Sequence, residues 1–150
     1  MQVIDAEYAT RTRLTIPSHY NGVRDGLRAL LDSVLLRSLP EDGRGNAEIV
    51  LAEALNNIVE HAYAGRQGEI EISLHLRQNE LLCQISDTGL PMPGGTIPTG
   101  SLAASGESVN PPEGGFGWHL IRCLSKDLAY QRIGGRNLLS FSLNTQQSPA

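Results

Sequence analysis

At 150 residues the chain is the size of one domain, and its 40% hydrophobic content is enough for one sizeable core. A formal charge of -4, with acidic and basic residues interspersed, offers no basic stripe to a phosphate backbone and argues against nucleic acid as a direct partner. No run approaches the roughly 18 apolar residues of a membrane span, and the N-terminus lacks a basic segment followed by an apolar one, so a cytoplasmic protein without membrane attachment is expected.

Arg13 to Ile16 reads as a short strand stopped by Pro17, and Ser18 as the N-cap of an amphipathic helix to about Arg37. Val23, Leu27, Leu30, Leu31 and Val34 recur there at helical spacing. The Pro-, Asp- and Gly-rich stretch from Leu39 to Gly45 predicts a turn, and a second helix follows from about Asn46 to Ala64, ended by Gly65. Glu69 to Arg77 alternates apolar with polar residues, Glu80 to Asp87 is a second apolar run, and the Gln78-Asn79 turn between them predicts a hairpin. Glycine and proline then concentrate between Thr88 and Gly117, a long loop. A third helix is predicted over Phe116 to Lys126, with Phe116, Leu120, Ile121 and Leu124 as its apolar face. Leu128 to Ile133 and Asn137 to Leu143 form another hairpin across Gly134-Gly135, and the tail after Asn144 is expected to fray.

This order predicts an α/β (α+β) two-layer sandwich, with a mixed, mostly antiparallel sheet covered by helices on one face. One domain is expected over residues 1–150, with its core over about 11–144. Cys83 and Cys123 lie in apolar runs without CxxC spacing and are expected as reduced core residues.

Three places carry candidate chemistry. On the second helix Glu53, Asn57 and His61 are four residues apart and form one polar stripe, opposite Leu51, Leu55, Ile58, Val59 and Ala62. A solvated helix face has this pattern, but Val50 and Ala54 beside the stripe suit the wall of a half-apolar pocket. In such a wall a Glu can act as a base and an Asn oxygen can bind a hard cation such as Mg2+. Asp87-Thr88-Gly89-Leu90-Pro91 sits where a strand ends. It is compatible with a plain turn, or with a carboxylate accepting from a ligand amine while Gly89 lets the backbone approach a flat ring. The single Asp-Thr-Gly in a helix-rich chain does not fit an aspartic protease, which needs two such carboxylates. Glu113-Gly114-Gly115-Phe116-Gly117-Trp118 puts glycines at a helix start, where backbone N–H groups can face a phosphate or where a loop can hinge. Neither GxxxxGK[ST] nor GxGxxG is present.

Together, Glu53-Ala-Leu-Asn-Asn57, Asp87-Thr-Gly-Leu-Pro91 and Gly115-Phe-Gly117 resemble the N, G1 and G2 boxes of the GHKL ATPases, the histidine-kinase-like superfamily with the Bergerat fold. With His61-Ala-Tyr63, and with Leu120-Ile121 and Leu124 after the glycines, the chain most resembles the anti-sigma factor serine/threonine-protein kinases, from about Leu14 to Leu143. The resemblance implies ATP and Mg2+ as cofactors, Glu53 as general base, Asn57 as metal ligand and Asp87 as acceptor of the adenine amino group. It implies Gly89 in the adenine wall, Gly115 and Gly117 at the phosphates, His61 at the nucleotide, and a lid over about residues 91–112. It implies phosphorylation of a serine on an anti-anti-sigma (antagonist) protein, sequestration of a sigma factor, and a homodimer. The family's Phe-Asp-Pro is replaced after Pro91 by Met92-Pro93-Gly94, and the loop from Thr88 to Glu113 carries no Lys or Arg; Arg66 and Arg122 are candidate substitutes for the missing cation. Beside a scaffold that keeps the fold and has lost the ligand, two alternatives stay open. One is a nucleotide-gated binding regulator with little turnover. The other is a detached catalytic domain of a histidine kinase, against which the lack of a preceding phosphoacceptor-His segment counts.

Overall fold

A computed structural model describes residues 10–99 and 115–146. Five strands form one sheet: β1 (Arg11–Pro17), β2 (Glu69–Arg77), β3 (Glu80–Asp87), β4 (Lys126–Ile133) and β5 (Arg136–Asn144). Their order is β1-β2-β3-β5-β4 and each pairing is antiparallel, in line with the mostly antiparallel sheet expected. Both predicted hairpins form. At Gly134 (φ 58) and Gly135 (φ 78) two successive left-handed residues make the tight β4-β5 turn that glycine adopts without a Cβ clash.

Alternation along the strands decides the layers. Ile70, Ile72 and Leu74 of β2, Leu81, Cys83 and Ile85 of β3, and Leu139, Phe141 and Leu143 of β5 are all buried together. The residues between them carry the polar face, where Arg136 Nη2 meets Glu71 Oε2 at 2.7 Å and Ser86 Oγ at 2.8 Å. The helices cover the apolar face: α1 (Tyr20–Leu31), the short α2 (Val34–Arg37), α3 (Glu41–Asn57) and α4 (Gly115–Leu124).

Several local expectations change. The first predicted helix breaks at Asp32, and Ser33 caps a new one: its Oγ accepts from Leu36 N at 3.4 Å and donates to Leu30 O at 2.5 Å. The break resets the helical phase, so Leu35 and Leu36 are buried while Val34 is exposed. The N-cap of α1 is His19, whose Nδ1 accepts from Gly22 N at 3.0 Å, because Ser18 is tied instead to the backbone of Arg66 and Gly68. The turn expected over Leu39 to Gly45 is mostly helix: Pro40 stands at the N-cap of α3, Glu41 and Asp42 suit the positive end of its dipole, and Gly43 lets the helix lie against the backbone of Thr145. Cys123 is exposed, not in the core, because α4 buries Gly117, Trp118 and Ile121 and turns residues 120, 122 and 123 outward.

Beyond Asn57 the second predicted helix continues only as a wide π-helical turn, Ile58–Tyr63, which ends at Ala64 in the left-handed region (φ 50). Such wide turns cluster at functional sites. Tyr63 anchors this one: its hydroxyl donates to Glu69 O at 2.5 Å and accepts from Thr88 N at 3.0 Å, joining the helix end to the starts and ends of two strands. Gly68 is required here, since a Cβ would collide with the Tyr63 ring.

Candidate functional site

Helix α3 carries the first predicted cluster, and it is enclosed on two sides. Leu51 and Leu55 are fully buried, and so are Val50 and Ala54 on the flank expected to be half polar. Helix α4 packs on that flank. Of the Glu53–Asn57 stripe, Asn57 lines a pocket, while Glu53 is half-buried beside Gly117 and is not among the residues that border that pocket.

Asn57, Asp87 and His61 line one cleft of about 480 Å³, closed by Ala54, Ile58, Leu90, Met92, Trp118 and Leu139. Its walls are mainly apolar, with the few convergent polar groups typical of a small-molecule site. A larger cavity of about 940 Å³ opens at Ser18, Glu60 and Gly65, and none of the predicted site residues borders it.

Asn57 is 6% exposed and its Nδ2 has no hydrogen-bond partner among the described residues. A buried polar group left unpaired is costly, so this N–H end is open to a hydrogen-bond acceptor such as a phosphate oxygen. No group of three or more His, Cys, Asp or Glu among the described residues could hold a metal by itself. A cation bound at Asn57 must therefore take most of its ligands from phosphates and water, which suits Mg2+. The atom of Asn57 able to hold that ion is its Oδ1, which leaves the unpaired Nδ2 to a phosphate oxygen.

Gly117, the third residue of α4, faces the same point. A Cβ there would stand 2.6 Å from Glu53 Oε2 and 3.5 Å from Asn57 Nδ2, so the absence of a side chain brings α4 onto the two polar residues. Gly115 opens the helix, and both glycines lie in the first turn, where backbone N–H groups have no intrahelical partner. The lid expected over 91–112 is described only to residue 99, and Glu113-Gly114 lie outside the described residues.

Asp87 is the last residue of β3, 3% exposed, and burial pushes its pKa up against the opposing pull of Asn137, Gly89, Arg132 and Arg136. Its Oδ1 accepts from Gly89 N and from Asn137 Nδ2, both at 2.8 Å. Gly89 is pressed onto the π-helical turn, where a Cβ would lie 2.5 Å from Ala62 O, and Leu90 N donates to that same carbonyl at 2.7 Å. His61 remains at the cleft despite the change of phase after Asn57, its side chain half exposed and 3.9 Å from Glu60 Oε2.

Two residues that the sequence did not single out complete the floor. Asn137 is 5% exposed and pairs in register with Asp87. Tyr130 lies on β4, one strand further, and its hydroxyl reaches Asn137 Oδ1 at 2.5 Å. Their only sequence signal was an Asn opening an apolar strand. Nothing local to it announces a carboxylate 50 residues earlier. Neither suggested cation reaches the cleft wall: Arg66 borders the larger cavity, and Arg122 donates to Pro98 O at 3.0 Å and Ile97 O at 3.3 Å, fastening the start of the long loop to α4.

Residues 16–143 match the histidine kinase-like ATPase domain family. The serine-protein kinase RsbW of Bacillus thuringiensis (strain Al Hakam) is 30% identical over 136 residues, which are 89% of this chain and 76% of that protein. The serine-protein kinase RsbW of Bacillus mycoides (strain KBAB4) is 30% identical over 100 residues, 65% of this chain and 62% of the other. Among solved structures, the RsbU and RsbW domains of a Mycobacterium tuberculosis protein superpose with a TM-score of 0.60 at 12% identity. That alignment covers 92% of this chain and 33% of that one, and carries the fold alone.

Proposed function

Because the chain belongs to the histidine kinase-like ATPase domain family, and within it to the anti-sigma factor serine kinases, we propose that it binds Mg-ATP in the Asp87 cleft and phosphorylates a serine of an anti-anti-sigma protein. Sequestration of a sigma factor by a homodimer belongs to the same proposal. The observation that carries it is that Asn57 and Asp87, from two separate elements, line one cleft, with Gly117 packed beside Asn57, whose buried Nδ2 has no partner among the described residues.

In this scheme Asp87 accepts from the adenine amino group and Gly89 gives the ring a flat approach. Gly115 and Gly117 give the phosphates room and backbone donors, Asn57 holds the cation, and His61 adds a polar group to the nucleotide wall. The metal supplies neutralisation of charge on the phosphates. Glu53 takes the proton of the acceptor serine as its oxygen bonds to the γ-phosphorus and the bridging oxygen departs with ADP. Incubation with Mg-ATP and candidate antagonist proteins is expected to yield phosphoserine, and Glu53→Ala to abolish transfer while ATP still binds. An undiminished Glu53→Ala rate overturns the assignment.

A second scheme has one observation in its favour: no Lys or Arg lines the described cleft, since Arg122 is occupied with the loop and Arg66 lies elsewhere. In it, nucleotide sets the loop and the protein grips a partner without transfer. Partner capture that depends on nucleotide, with no phosphate on the released partner by mass spectrometry, selects this version.

A further inference from the structure

Asn137 uses its whole carboxamide on the protein. Nδ2 donates to Asp87 Oδ1 and to Leu90 O, each at 2.8 Å, while Oδ1 accepts from Tyr130 at 2.5 Å and from Arg132 Nη1 at 3.1 Å. Two donors and two acceptor positions are all that the group possesses. It therefore has nothing left for a ligand, although it lines the cleft. What it does is hold Oδ1 of Asp87 fixed, so that the carboxylate presents its other oxygen.

The same carboxamide is held in turn by the residues that secure the root of the long loop. Met92 N donates to the Tyr130 hydroxyl at 3.0 Å, and Arg132 Nη1 donates to Gly89 O at 2.6 Å. The bonds run head to tail, Met92 N–H to Tyr130, Tyr130 O–H to Asn137, Asn137 N–H to Asp87, in a chain where each bond orients the next. Tyr130 is the joint: its single oxygen both accepts from the loop and donates toward the carboxylate.

We propose that Tyr130 is a positioning residue that couples reading of the nucleotide base at Asp87 to the placement of the loop root at Gly89 to Met92. It borders the cleft, acts on Asp87 through Asn137 and performs no chemistry. The coupling rests on the nucleotide reading above, since it is the base that engages Asp87.

The test compares wild type, Tyr130→Phe, Asp87→Asn and the double variant by calorimetry with Mg-ATP, together with amide exchange at Met92. Tyr130→Phe keeps the ring and removes one oxygen, so the fold survives. Loss of this joint is expected to weaken Mg-ATP about tenfold, the size of one or two net hydrogen bonds. It should also remove the slowing of Met92 exchange that nucleotide causes in the wild type. In the Asp87→Asn background the same change should cost markedly less, because coupled residues are not additive. A Tyr130→Phe protein that binds Mg-ATP and protects Met92 as the wild type does overturns the joint alone, and so does an equal cost in both backgrounds. A wild type that takes no Mg-ATP overturns the nucleotide reading, and the joint with it.

Discussion

At Asp87 the interior removes water from a carboxylate, and two hydrogen bonds with two nearby guanidinium groups only partly replace it; the folded pKa therefore stays above the ordinary value. The sign follows from linkage. Between the ordinary aspartate pKa and the raised folded one, the native state binds more protons than the unfolded chain, so this group costs stability as pH rises through that window. Asp87→Asn is expected to melt higher than wild type at neutral pH and to lose that advantage in acid, while Mg-ATP affinity falls. Melting curves across pH check it. Cys83 gives a second residue-scale prediction. Burial pushes its thiol up, whereas Cys123 is exposed beside His119 Nε2 at 3.6 Å. A maleimide should modify Cys123 in the native protein and Cys83 only with unfolding, as mass spectrometry of timed samples reads directly.

At the scale of the element, helix α4 meets α3 through Gly117. Gly117→Ala puts a methyl against the Glu53 carboxylate, the free end of a flexible side chain that can swing away. Helix propensity gains by up to about 1 kcal/mol from the same change. Stability should hold or rise slightly while phosphotransfer falls, a pattern that urea unfolding beside a transfer assay separates from simple misfolding. Legibility differed among elements for physical reasons. The β2-β3 hairpin was read to its limits because strict alternation and a polar turn are local signals. The start of α3 was misread because Gly43 and Gly45 look like turn residues until Thr145, about a hundred positions away, is seen to need the space at Gly43. The π-helical turn was invisible because its cause is the reach of Tyr63 to Glu69 and Thr88. Glu53, Asn57, Asp87 and Gly117 were legible as motifs. Tyr130 and Asn137 were not, since their partners are defined only by strand pairing across the sheet.

For the whole molecule, a ligand that binds only the folded state must stabilise it. Mg-ATP at about a hundred times its dissociation constant should add about 2.7 kcal/mol, seen as a melting temperature that climbs with nucleotide concentration and stops climbing in Asn57→Ala. The sheet order has a consequence for how the chain is made. β3 lies between β2, which precedes it directly, and β5, which is synthesised some fifty residues later, and Asp87 meets Asn137 only when β5 arrives. Until then β3 presents a bare edge and Asp87 lacks the carboxamide that holds it. On the nucleotide reading proposed above, a polypeptide stalled on the ribosome before residue 136 is expected to gain no stability from Mg-ATP, which limited proteolysis of stalled complexes with and without nucleotide reads.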